Sequence, residues 1–377
     1  MNNVNKRIKI KDKKHLKLSN DLIIRISLSV FFVVLFVVLF FVCGGTYYFK
    51  KVNIIDKYSG YDFQFHVIDV EQGDCLLFKF PNNQTMLVDA GEEEYGEIVC
   101  EYVTQFLKQE NLEALDYLVL THSDADHVGG AKELLENVHV NNIYRPKIYT
   151  QNEAKDLPDD NTYMISNTLI YNTIIDTAKE KGCNLIFSEK GIELNLGGCK
   201  VEFLSPAQDY YADTNSYSAV IMITYQTKKI LLTGDANTSI EQTLIDEYGE
   251  YLKADILKVG HHGSKTSSMK EFLEIVKPQY SILCAGENRD LPDIEVINRL
   301  HDINSQILST ANEGSFAMTI KNNEIVYSGT TKPTFDIAII ISLLVIALIL
   351  TWGIKINSKR TKAVLSKNQK TIIDDDN

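Results

Sequence analysis

The segment Thr121-His122-Ser123-Asp124-Ala125-Asp126-His127 follows the apolar run Tyr117-Leu118-Val119-Leu120 and precedes a helix-like stretch from His127 to Val138. Four potential metal ligands, two imidazoles and two carboxylates, fall within six residues at a strand-to-helix junction. Such groups are costly in an apolar core and well suited to holding a cation. A fold that uses them must bring this strand end to an edge where other polar strand ends can gather.

Three further strand ends have the required character. Leu87-Val88-Asp89-Ala90-Gly91, Leu231-Leu232-Thr233-Gly234-Asp235 and Lys258-Val259-Gly260-His261-His262-Gly263-Ser264 each place Asp or His just past an apolar run. Glycine beside them lets the backbone turn sharply. Taken singly, each reads as an ordinary turn or a surface histidine. Four together are hard to explain that way.

The elements between these ends alternate β and α in two halves. Strands are expected at 63–70, 75–80, 84–88 and 115–120, with helices over 98–109 and 130–138. A helix over 167–181 and strands at 184–187, 200–204, 218–224 and 229–233 follow. Two βα units close the pattern, with strands at 256–259 and 280–284 and helices over 269–276 and 292–302. Runs of strands with interspersed helices suggest an α/β fold of two sheets packed face to face and covered by helices.

The ordered set His122, Asp124, Asp126, His127, Asp89, Asp235 and His261-His262 resembles the metallo-β-lactamase fold superfamily. More narrowly, Phe65 to Cys75 (FHVIDVEQGDC), Asn215 to Ser218 (NSYS) and Leu257 to Ser268 (LKVGHHGSKTSS) are similar to the extracellular hydrolase domain of ComEC-type DNA-uptake proteins. The resemblance runs from about Phe63 to Val326. It implies a four-layer αβ/βα sandwich with a two-metal site, zinc or manganese, at one edge of the paired sheets. By the same resemblance, His122 and Asp124 bind one ion, and Asp126 and His127 the other. Asp235 bridges both, and Asp126 and Asp235 are the implied catalytic carboxylates. One of His261 and His262 completes the ligand set of the second ion, with His261 favoured because it directly follows the strand. Asp89 is expected to orient a ligand, while Gln72, Asp74, Asn215 and Ser218 line the substrate side.

Two departures qualify the resemblance. The superfamily commonly has His where Asp124 stands and another in the region of Asn215 to Ser218; the ComEC-like branch shares both losses. Oxygen donors there suit harder ions such as Mn²⁺ as well as Zn²⁺. ComEC-like domains also often carry Gly-His-Pro after an Asn, whereas Asn288-Arg289-Asp290-Leu291-Pro292 contains no His.

Two uncharged runs, Ile26 to Cys43 and Ile337 to Ile354, bracket this body. Each approaches the roughly 20 apolar residues of a bilayer-spanning helix. The expected organisation is a basic segment 1–21, a transmembrane helix within 22–49, a hydrolase domain over 61–329, a second transmembrane helix over 335–354 and a tail over 355–377. Residues 1–25 carry eight Lys or Arg and residues 355–377 carry six. Basic flanks tend to stay cytoplasmic, which places both termini inside and the body outside the cell.

Residues 61–330 contain 20 Lys or Arg against 43 Asp or Glu, a balance of −23. Such a field repels polyanions, so DNA is a disfavoured though possible partner. Five of the six cysteines lie in the body without a C-x-x-C pair, which argues against a structural zinc site. Cys183 and Cys199 are the candidate disulfide, with isolated buried thiols the simpler reading. The functional expectation is a membrane-anchored, metal-dependent hydrolase, phosphodiesterase-like, on a small or polymeric substrate. Its rivals are a nuclease of DNA uptake, a lactone or thioester hydrolase, and a non-catalytic membrane sensor or scaffold.

Overall fold

A computed structural model describes residues 26–35, 54–158, 162–286 and 290–328. The body belongs to a compact unit spanning Phe49–Lys332, and the helix at 26–35 belongs to a second unit. Among the described residues no helix is long and apolar enough to cross a membrane. The described part of the first apolar run is helical and exposes Val30, Phe31 and Val34. The 335–354 run and both basic tails lie outside the described residues.

Seventeen strands are described in the body. The first half supplies β1 (Gln64–Val67), β2 (Leu76–Lys79), β3 (Thr85–Val88), β4 (Leu115–Val119), β5 (Val140–Arg145), β6 (Ile148–Tyr149), β7 (Met164–Ile165) and β8 (Asn184–Phe187). The second supplies β9 (Glu193–Leu196), β10 (Cys199–Ser205), β11 (Val220–Tyr225), β12 (Lys228–Leu232), β13 (Ile256–Lys258), β14 (Tyr280–Leu283) and β15 (Gln306–Ser309). The chain then returns to the first sheet with β16 (Phe316–Lys321) and β17 (Glu324–Ser328). One sheet runs β17-β16-β1-β2-β3-β4-β5-β8 and the other β15-β14-β13-β12-β11-β10-β9, with β6 and β7 paired apart.

Strand alternation explains the layers. In β2, Leu76 and Phe78 join Phe203, Ile221, Leu232 and Ile256 in a core between the sheets. Leu77, with side chain on the opposite face, packs with α1 (Gly96–Glu110), α2 (Ala131–Asn137) and α3 (Leu169–Glu180) through Val103, Leu134 and Ile174. In the second sheet Leu231 and Leu257 meet α4 (Thr238–Tyr248), α5 (Lys270–Val276) and α6 (Ile294–Asp302) through Leu244, Leu273 and Leu300. The order is helix, sheet, sheet, helix.

Parallel pairing in the middle of each sheet aligns the strand ends. β3 pairs parallel with β4, and β12 with β13. Asp89, Thr121 and His122 therefore leave one sheet at the same edge, as Asp235 and His261 leave the other. The helix expected from His127 is instead a single turn, Ala125–Val128, broken from α2 by Gly129-Gly130. All five described cysteines are free thiols, so Cys183 and Cys199 form no disulfide. They lie in different parts of the sandwich, Cys183 ahead of β8 and Cys199 in β10.

Candidate metal centre

The edge where these ends meet is unusually polar for its burial. His122, His127 and His262 are fully buried, as is Asp89, and Asp235 is nearly so. Ligand atoms of His122, His127 and Asp235 all lie within 4.8 Å of one another, as do those of Asp126, His127 and His262. Asp74, Asp89 and His127 form a third such group, so His127 belongs to all three. Its Nε2 stands 3.1 Å from Asp235 Oδ1 and 3.2 Å from His262 Nε2.

The surrounding backbone fixes these rings. Asp89 accepts from the Thr121 amide at 2.8 Å, from Thr121 Oγ1 at 2.7 Å and from His127 Nδ1 at 2.7 Å. A carboxylate accepting from Nδ1 leaves Nε2 of His127 facing inward, the arrangement that orients histidine ligands in metal sites. The carbonyl of Cys284 does the same for His262, accepting from Nδ1 at 2.9 Å. His262 Nε2 then lies 3.3 Å from Asp126 Oδ2 and 3.7 Å from Asp235 Oδ2. Gly73 packs this edge closely, because a Cβ there would stand 2.5 Å from the carbonyl oxygen of Asp126.

Local strain marks the same place. Asp89, His261 and His262 all have positive φ, at 59°, 48° and 51°. Non-glycine residues held in that region cost on the order of 1–3 kcal/mol each and persist where the surroundings over-determine them.

Electrostatics follow from burial and proximity. Burial lowers the His122 pKa, and neighbouring His127 lowers it further. Burial would also lower His127, but Asp235 and Asp89 outweigh it and hold the ring well above the usual imidazole range. Burial raises Asp235 less than His127 and His262 depress it, so its carboxyl stays well below the ordinary value. Asp126 is depressed in the same way against burial, by the hydrogen bond from His262 and by His127.

The histidine preference drawn from the strand end does not match the geometry. His262 points into the cluster, whereas His261 is 27% exposed, bonds through Nδ1 to Thr266 Oγ1 at 3.0 Å and lies 3.6 Å from Asp235 Oδ2. In the doubly left-handed turn, the second histidine is the one that swings inward. Asp124 is 40% exposed, lies 3.7 Å from His122 Nε2 and stands outside all three ligand groups.

Two residues expected on the substrate side are buried against the cluster. Asp74 is buried, with Oδ2 2.8 Å from the fully buried Lys258 ammonium. Ser218 is buried and its Oγ accepts from the Asp235 amide at 3.1 Å, so it fixes backbone rather than lining a surface. Both sit in tight turns whose side chains point back into the sandwich. Gln72 and Asn215 are half-buried, and Asn215 Oδ1 has no hydrogen-bond partner. Thr121 and Lys258 were not foreseen as parts of the site; Lys258, charged in an otherwise apolar strand, was the available signal.

The donor set fits a metal. His122 Nε2 is buried without a hydrogen-bond partner, and Asp235 Oδ1 likewise makes none of good geometry. Buried polar atoms are almost always paired, and here the missing partners converge on imidazole nitrogen and carboxylate oxygen.

A two-sheet αβ/βα sandwich with a His/Asp cluster at its edge defines a class of fold built around a metal-binding site. The chain belongs to the metallo-beta-lactamase superfamily, whose profile matches residues 68–287. It is 29% identical over 285 residues to ComE operon protein 3 of Bacillus subtilis, covering 72% of this chain and 34% of that protein. It is 31% identical over 255 residues to Recombination protein 2 of Haemophilus influenzae, covering 67% and 28%. The chain thus spans about a third of the length of these curated relatives. Among solved structures it resembles the metallo-beta-lactamase fold protein YhfI from Bacillus subtilis, with a TM-score of 0.44 and 13% identity over 68% of this chain and 99% of that one.

Proposed function

We propose that this protein is a membrane-anchored hydrolase that holds two divalent ions, zinc or manganese, and cleaves a phosphodiester-like substrate outside the cell. The buried, partnerless Nε2 of His122 beside His127 and Asp235 carries the reading. When bound, such ions supply an activated water near neutral pH and stabilise developing oxyanion charge. His122 would hold one ion, with Asp124 at the exposed side 3.7 Å from its Nε2, and Asp126, His127 and His262 would hold the other. Asp235 would serve both, since it shares a ligand group with His122 and His127 while its Oδ2 stands 3.7 Å from His262 Nε2. Asp89 holds the His127 ring, and Ser218 holds the Asp235 backbone. The uncharged runs, their basic flanks and the exposed apolar helix at 26–35 support the anchor and its topology.

The resemblance to ComEC-type DNA-uptake proteins, with a relative named Recombination protein 2, favours a second reading, a nuclease linked to DNA uptake. The −23 balance of residues 61–330 speaks against it, because nucleic-acid backbones favour basic tracks. Metal analysis of the full chain, followed by phosphodiester, lactone and DNA substrates with and without chelator, separates these cases. Metal-dependent phosphodiester cleavage, lost in Asp126→Ala, is expected. A wild type without bound metal, as inactive as Asp235→Ala across the panel, would leave a sensor or scaffold.

A further inference from the structure

We infer that the buried Lys258–Asp74 ion pair positions the His262 imidazole, as Asp89 positions His127. The inference rests on the metal-site reading above. Lys258 ends β13 and alternates with Leu257, so it shares the face of Ile256, which packs in the apolar layer between the sheets. Its ammonium is fully buried and donates to Asp74 Oδ2 and to the Val259 carbonyl, each at 2.8 Å. Asp74 arrives from the other sheet, on the turn between β1 and β2. The pair therefore spans the sandwich directly beneath the site.

Stability alone gives little reason for such a pair. Desolvating the two ions costs several kcal/mol each, and well-packed apolar residues often serve as well or better. What the pair does provide is a carboxylate held in one orientation. Lys258 occupies Oδ2 and leaves Oδ1, which is buried and has no hydrogen-bond partner. That free oxygen lies 3.6 Å from His262 Nδ1. Because the Cys284 carbonyl can only accept, the proton resides on Nδ1. Asp74 adds negative charge behind that N–H, which makes Nε2 a better donor toward a cation. Loss of such outer partners typically weakens metal binding by about 10- to 100-fold.

The test is calorimetric titration of the metal-stripped full chain with MnCl₂. The variants are Asp74→Asn/Lys258→Met, His262→Ala and all three together. The neutralised pair should leave the thermal midpoint of metal-free protein within a few degrees, yet weaken one of two binding events about 10- to 100-fold. In the His262→Ala background the same pair change should add less than about twofold, because contributions through one residue are not additive. Unchanged affinity, or equal losses in both backgrounds, overturns the positioning role. Should that paired variant fail to fold, the apolar pair Asp74→Leu/Lys258→Met is titrated instead, and unchanged affinity there overturns it equally. A wild type that binds no Mn²⁺ overturns the metal reading itself, and is distinguishable from a wild type that binds while its variants are unaffected.

Discussion

Among the described residues two polar clusters surround buried histidines, and one of them is left open. His66 in β1 accepts from Tyr102 Oη at 2.9 Å and donates through Nε2 to Gln64 Oε1 at 3.1 Å. Gln64 Nε2 donates to Glu110 Oε1 at 3.0 Å, and Glu110 Oε2 receives Lys79 Nζ at 2.6 Å. Lys79 also reaches the Tyr61 carbonyl at 3.1 Å. Around His122 the polar density is similar, but Nε2 of that ring and Oδ1 of Asp235 have no hydrogen-bond partner. Burial and polarity therefore do not identify a site. An unclosed network does, because a finished structural network satisfies its members.

The sharpest way to break this contrast is to remove one member from each cluster. Asp235→Ala should reduce hydrolysis to background and lower bound metal, measured by activity assay and elemental analysis. His66→Gln should retain both. A His66 variant that loses metal would mean the two networks are coupled, and the distinction would fail.

Lys79→Met is the next largest effect. It leaves Glu110 buried without its cation, and breaking one partner of a buried pair costs about 3–5 kcal/mol. Chemical unfolding should show that loss while MnCl₂ affinity stays unchanged. Acid should expose the same closed network. Burial lowers the His66 pKa to about 3, against an opposing pull from Glu110. The unfolded chain therefore binds the proton first, and the contribution of neutral His66 is complete above its unfolded pKa of about 6.5. It is lost as pH falls from there toward 3, by up to about 1.4 kcal/mol per pH unit. Unfolding midpoints measured at pH 7.5, 6 and 5 should fall more steeply for wild type than for His66→Gln.

Asp89→Asn sharpens the other side. It preserves shape but weakens the acceptor behind His127, and outer partners of metal ligands are typically worth about 10- to 100-fold in affinity or activity. A loss confined to stability, with metal affinity intact, would class Asp89 with the His66 network instead.

Much of this contrast was legible in the chain. The strands ending at Val88, Val119, Leu232 and Lys258 are short apolar runs closed by Gly, Asp or His, so their convergence could be argued from residue type. The inward choice of His262 over His261 could not, because it depends on two consecutive left-handed residues. The resemblance implies that Asp74 and Ser218 line the substrate side, and only the packed sandwich shows that their side chains turn inward. β5 was missed because its apolar signal is diluted by Asn141 and Asn142. β16 and β17 were missed although Asn322-Asn323, both at positive φ, is the turn chemistry of a hairpin. The place of β16 beside β1 rests on a pairing of residues some 250 positions apart, such as Phe65 with Met318, which no local pattern encodes.

The smallest predicted effect tests how far the open cluster depends on its frame. Asn237 caps α4, with Oδ1 accepting from the amides of Ser239 and Ile240. Its Nδ2 donates to Ser216 Oγ at 2.9 Å, so one side chain joins the loop after Asp235 to the turn that carries Ser218. Loss of an N-cap costs about 1 kcal/mol, and Asn237→Ala should show that in unfolding. Asp235 is separately held, since Ser218 Oγ accepts from its amide and Ser267 Oγ donates to the Ala236 carbonyl at 2.8 Å. Metal affinity should therefore change less than about threefold, below the 10- to 100-fold expected for a ligand's own partner. A larger loss would place Asn237 among the residues that position Asp235, and would extend the open cluster one turn into α4.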